Sequence, residues 1–272
     1  EEGNAAPGEQ QETQLAEGAL LPAAAPAAEP AALMASGLFT QAAGHDHCLC
    51  GAAHKDIGTH TTAWSITFTE WTDELAKAQY NNEKKTAANS LPKQGNNYYY
   101  LTQDVVLSTS WKPADGTVLC LNGHSITSTS VYYGIHIADG VTFTLTDCNG
   151  SGKSYRFADG DGYYDPWKRD DSGSHEVIGG ILTAPHGSGV YIKSGTFNMY
   201  GGTIVGNSGN SNKGGGVFVG FNGSGNTFNM YGGAITGNRV SGKSTSDGGA
   251  GVYVRGESNT FNMYGGSITG NT

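Results

Sequence analysis

Apolar and polar residues alternate in short bursts along the second half of the chain, and the bursts recur. "TFNMYGGTIVGN" from Thr196, "TFNMYGGAITGN" from Thr227 and "TFNMYGGSITGN" from Thr260 stand 31 and 33 residues apart. A more divergent copy, "TFTLTDC", begins at Thr142. Each copy follows a β-branched and aromatic run: "GIHIADG", "GVYIKSG", "GVFVGFNG" or "GVYVRGES". Alternation of period two marks strands, and the intervening Gly, Asn and Ser mark turns. No unit carries a helical period. A unit this small cannot bury its own apolar face, whereas stacked units share one core. Three short strands per unit, stacked about 4.8 Å apart, predict an all-β fold, a parallel β-helix or solenoid.

Side-chain parity follows from the strand period. In Val190-Tyr191-Ile192, Val217-Phe218-Val219 and Val252-Tyr253-Val254 the aliphatics are expected inside and the rings outside. In the Thr-Phe-Asn-Met-Tyr runs, Phe197, Phe228 and Phe261 join Met199, Met230 and Met263 in the core. Tyr200, Tyr231 and Tyr264 then form an outward row, and His136 aligns with Tyr191, Phe218 and Tyr253 in another. Asn207, Asn238 and Asn271 fall at a turn, where stacked amides bond along the stacking direction.

The regions before the repeats differ in kind. Residues 1–44, with "LAEGALLPAAAPAAEPAAL", are too poor in large apolar side chains to offset their ordering entropy and read as a disordered leader. Residues 45–62 are rich in Cys and His. Residues 63–97 read as a small cap with a short helix, since Thr72 precedes Asp73 and Glu74 and Lys84 and Lys85 come late. The β-helix then spans 98–272, with an Asp-rich insertion at about 149–175. No polar cap follows "ITGN", so the stack is expected to continue beyond Thr272.

Charge narrows the partners. Six of the nine net negative charges come from the glutamates of residues 1–44, and no basic field remains to neutralise phosphates. Nucleic acid is therefore excluded as a partner, and uncharged glycans fit the hydroxyl- and amide-rich remainder. The segment "AALMASGLF" is too short to span a membrane.

Units such as "GGGVFV" followed by "TFNMYGGAITGN", with "SLPKQGNNYYYLTQDVVLSTSWKPADGTVLCLNGHSIT" upstream, resemble the right-handed β-helix (pectin-lyase-like) repeat surface proteins of Gram-positive gut bacteria. The resemblance covers roughly residues 45–272. It implies a right-handed coil and an extracellular chain, secreted or attached to the cell wall. It implies no particular chemistry.

Three sets of residues are candidates for chemistry. "HDHCLCGAAHKDIGTH", residues 45–60, holds four of the eight histidines and two of the four cysteines. Cys48, Cys50, His54 and His60 would complete a closed, structural zinc site. A Cys48–Cys50 disulfide and a merely polar segment are the other readings, and zinc storage or sensing is a further one. In "YRFADGDGYYDPWKRDDSGSHE", Asp159, Asp161 and Asp165 suggest a calcium loop, with Asp170 and Asp171 beyond. Position twelve of such a loop is Asp170 rather than Glu, and a solvated polar loop is the plainer reading. Cys120 and Cys148, 28 residues apart, lie about one unit apart and are either a disulfide or two thiols.

Paired carboxylates at a glycosidase separation are missing from the expected strands. The leading functional expectation is a non-enzymatic extracellular stalk or adhesin segment, engaging glycans or a host or cell-surface partner. Its binding residues are the outward rings Tyr191, Phe218, Tyr253, Tyr200, Tyr231 and Tyr264. The alternative is a polysaccharide-cleaving lyase or glycosidase, with its site near the Asp-rich insertion or on coils outside this sequence.

Overall fold

The structure is a computed structural model that describes residues 44–48, 65–71, 98–148, 153–160, 166–210, 214–220, 225–241 and 248–272. Among these the chain is all-β, with parallel sheets and no helix. Residues 1–43 of the leader and the expected cap helix lie outside the described residues, and Gly44 begins a strand.

The longest sheet has eight strands: Gly44–Cys48, Ser65–Trp71, Tyr98–Leu101, Thr117–Cys120, Val141–Thr146, Gly195–Met199, Thr227–Met230 and Thr260–Met263. Only its first pair is antiparallel. A six-stranded parallel sheet holds Val105–Leu107, Ser125–Ser128, Ile181–Thr183, Thr203–Val205, Ala234–Thr236 and Ser267–Thr269. A four-stranded parallel sheet holds Tyr133–Ile137, Ser188–Ile192, Val217–Val219 and Val252–Val254. From Tyr133 onward the chain visits the four-, eight- and six-stranded sheets in that order, and then begins again. Because successive strands enter different sheets, each strand's parallel partner comes from the neighbouring unit.

Register places like on like. Phe197 pairs with Phe143 and Phe228, and Phe228 with Phe261. Their rings stack at 5.8, 5.1 and 4.9 Å. Trp111 closes one end of this row edge-on to Phe143 at 5.3 Å. Met199 and Met230 lie in the same core as Val190, Ile192, Ile204 and Ile235, as the parity requires. Met263 is 47% exposed, because its strand has a neighbour on one side only.

Amide ladders hold the turns. Asn207 donates through Nδ2 to Asn238 Oδ1 at 2.6 Å, and Asn238 to Asn271 Oδ1 at 2.8 Å. The same oxygens accept the backbone amides of Asn207 and Asn238, both at 3.1 Å. Gly206, Gly237 and Gly270 precede these asparagines with φ of +66°, +60° and +62°, a conformation costly for other residues. A second ladder, Asn198, Asn229 and Asn262, runs along the eight-stranded sheet with Nδ2 to Oδ1 distances of 2.9 Å.

Phe228 is fully buried between two rings, whereas Phe261 is only partly buried. Phe228→Ala should therefore cost about 3–5 kcal/mol, and Phe261→Ala distinctly less. Urea titrations of the two variants, compared by midpoint, check the order.

Candidate functional site

The two outward aromatic rows differ in what they leave open. In the four-stranded sheet, Tyr191 and Phe218 are 5% and 1% exposed, so their faces are not available to a sugar. They are consumed by stacking: His136 on Tyr191 at 5.1 Å, Tyr191 on Phe218 at 5.0 Å and Phe218 on Tyr253 at 5.4 Å. Gly214 and Gly248 pack against the Tyr253 side chain, adding backbone cover that the strand pattern does not announce. The expected parity holds, since Val190 and Ile192 enter the core and Tyr191 does not, but an outward side chain is not thereby exposed.

The second row is more open. Tyr200 and Tyr231 are half-buried and Tyr264 is 66% exposed. Their rings stack on one another at 4.5 and 4.9 Å, with ring planes nearly parallel at 13° and 11°. Stacked rings present edges and hydroxyls outward, so flat faces are not what this row offers along its length. Thr196, Thr227 and Thr260 lie two positions before the asparagine ladder on the same outer face, which makes an uncharged Thr, Asn and Tyr grid.

The Asp-rich insertion forms its own antiparallel sheet of Ser154–Ala158, Lys168–Arg169 and His175–Ile178. It packs on the six-stranded sheet through Tyr155, Phe157 and Val177 against Ile181 and Val205. Trp167 is sandwiched: His175 stacks on it at 3.7 Å, and a Cβ on Gly237 would overlap the indole. The Trp167 amide also donates to the Gly237 carbonyl at 3.2 Å. This ring is a pin between insertion and stack. Beside it a cleft of about 320 Å³ is lined by Asp159, Trp167, Arg239 and Thr272.

Of the suggested calcium ligands, Asp159 is largely exposed and meets His175 Nε2 at 2.9 Å. Asp161 and Asp165 lie outside the described residues. Asp170 caps a turn through the Ser172 amide and hydroxyl, which together lower its pKa. Among the described residues no three acidic, Cys or His side chains converge. Of the zinc set, Cys48 ends a strand whose partner register sets it opposite Ser65. Cys50, His54 and His60 lie in the connection between those two positions, outside the described residues.

A cluster that sequence reasoning missed joins the insertion to the first units. Asp104 Oδ1 accepts from the Ser125 amide at 2.9 Å, Lys153 Nζ at 2.9 Å and the Tyr155 hydroxyl at 3.1 Å. His124 Nδ1 lies 3.0 Å from Lys153 Nζ, and the Arg169 guanidinium sits 4.7 Å over the Tyr155 ring. Burial opposes ionisation of Asp104, yet these donors outweigh it and hold the carboxyl at about 2. Burial and Lys153 push the His124 pKa down, against the opposite pull of Asp104. Asp147 is buried, with Gly123 N on Oδ1 at 2.7 Å and Gly180 N on Oδ2 at 2.6 Å. Each oxygen thus accepts a backbone amide from a different unit. Nothing local in the sequence signals these partners, which lie 21 to 51 residues apart.

Comparison of the chain with protein-family models, curated proteins and solved structures gives no match in any of the three.

Two acid-labile windows follow. Burial, with Lys112 and Lys193, lowers His136 to about 4, and its Nε2 is buried without a hydrogen-bond partner among the described residues. The unfolded imidazole takes a proton near 6.5, so stability falls as pH drops from about 6.5 to about 4. Asp104 is depressed instead, so its contribution is complete above about 3.9 and is lost as pH falls towards about 2. Unfolding free energy measured against pH should show both declines. His136→Phe should flatten the upper one and Asp104→Asn the lower.

Proposed function

We propose that this chain is a non-enzymatic, extracellular stalk or adhesin segment, built as a right-handed parallel β-helix of the pectin-lyase-like kind. It binds neutral glycans weakly and repeatedly along the Tyr200, Tyr231 and Tyr264 row, with the neighbouring Asn and Thr side chains supplying hydrogen bonds. The observation that carries this reading is the repetition itself. The same uncharged outer positions recur in register from unit to unit, which favours many equal shallow contacts over one deep pocket. The fixed order of visits to three parallel sheets supports the β-helix assignment. The commitment of Asp104 and Asp147 to internal hydrogen bonds supports the non-enzymatic one.

Tyr200 and Tyr231 are half-buried and Tyr264 is exposed, so each ring of the row is open to part of a ligand. Tyr264→Ala should weaken binding of soluble neutral oligosaccharides by about five-fold, equivalent to roughly 1 kcal/mol. Titration by nuclear magnetic resonance or calorimetry reads this, and binding that is unchanged in both Tyr264→Ala and Tyr231→Ala would sink the assignment. A second reading, polysaccharide cleavage, is favoured by the cleft between Asp159 and Arg239. Release of products that stops when calcium is chelated would establish it in place of the first.

The Cys48, Cys50, His54 and His60 set is proposed as a structural zinc clip. Pairing of Cys48 with Ser65 brings the two ends of the Cys/His-rich connection to adjacent strand positions, which suits a closed site. Purified protein should carry about one zinc per chain, and Cys48→Ser should lose it. Elemental analysis showing no zinc in the native chain would remove the proposal.

A further inference from the structure

Cys120 ends the strand Thr117–Cys120, and Cys148 lies two residues past the neighbouring strand Val141–Thr146. Both are thiols. The Cys148 amide donates to Cys120 Sγ at 3.3 Å, so the two residues touch across the boundary between units. Asp147, immediately before Cys148, is held by Gly123 N and Gly180 N at 2.7 and 2.6 Å. The approach is therefore fixed by three anchored backbone groups.

The two sulfurs differ in access. Cys120 is 0% exposed, on the strand face opposite the core residue Leu119, whereas Cys148 is partly exposed. We propose that Cys120 and Cys148 are a sequential thiol–disulfide pair, in which Cys148 reacts first with a small-molecule disulfide and Cys120 then resolves the adduct into a Cys120–Cys148 bond. In the first step the Cys148 thiolate attacks one sulfur of the external disulfide, forming a mixed disulfide and releasing one external thiolate. In the second, the Cys120 thiol gives up its proton, attacks the Cys148 sulfur and expels the second external thiolate. Two protein thiols are oxidised, one external disulfide is reduced to two thiols, and the protons end on those thiols.

Burial, reinforced by Cys148, raises the Cys120 pKa and leaves little thiolate there to open the exchange. The same burial is no obstacle to the second step, because the mixed disulfide forms in contact with Cys120. Cys120 pairs with Thr146, and the chain then brings the Cys148 amide back to 3.3 Å from Cys120 Sγ, which places the two residues in the contact a disulfide requires. The product would lock the exit of the strand Val141–Thr146, where the insertion leaves the stack, to the preceding unit.

The test is incubation of the folded native chain with oxidised glutathione, followed by non-reducing peptide mapping that separates this pair from Cys48 and Cys50. A cross-linked Cys120–Cys148 peptide is expected, with a thermal midpoint above that of the reduced chain. Cys120→Ser, or Cys120→Ala where serine is poorly tolerated at the buried position, should retain glutathione on Cys148. Cys148→Ser should leave Cys120 unmodified while the protein is folded. A native chain that keeps glutathione on Cys148 without cross-linking overturns the pair. Equal modification of Cys120 in folded Cys148→Ser overturns the order.

Discussion

Parallel, in-register pairing is the constraint from which the rest of this structure follows. Every side chain in a row faces its own counterpart from the next unit about 4.8 Å away. Rings and amides gain from such repetition, because stacked rings bury one another and an amide both donates and accepts. Charges do not. Two like charges at that spacing repel by about 0.9 kcal/mol in water and about 3.5 kcal/mol at an effective dielectric of 20. The rows accordingly hold Thr, Phe, Asn, Met and Tyr. Where cations follow the four-stranded sheet, Lys193 and Arg255 are separated by Gly220, so neither stacks directly on the other.

Elements outside the regular rows are free of that rule, and there the charged chemistry collects. Asp104 and Asp147 tie backbone amides of separate units together, which is the task Asn207 and Asn238 perform later in the chain. The insertion docks by similar means, with Lys153 and Tyr155 on Asp104 and Trp167 wedged between His175 and Gly237. These polar and aromatic contacts add to the apolar cluster of Tyr155, Phe157 and Val177 that seats the graft on the six-stranded sheet.

Much of this was legible because it is periodic. The Phe and Met rows, the parity of Val190-Tyr191-Ile192 and the Asn207, Asn238, Asn271 ladder each follow from counting along repeated text. The strand Ser65–Trp71 was hidden within a region read as a helical cap, since it occurs once and its parallel partner is Tyr98–Leu101. The burial of Tyr191 and Phe218 was equally hidden, because strand alternation gives direction and not exposure. The Asp104 cluster joins residues from unrelated local patterns, so no window of sequence contains its signal.

The amide ladders carry a direction as well as a bond. In the Asn207, Asn238 and Asn271 corner, and in the Asn226 and Asn259 pair, Nδ2 points towards later units. In Asn198, Asn229 and Asn262 it points towards earlier ones. The side-chain dipoles of the outer face therefore oppose those of the turns. A stack assembled this way offsets part of the axial electric field that a single run of aligned amides would build up with every added unit.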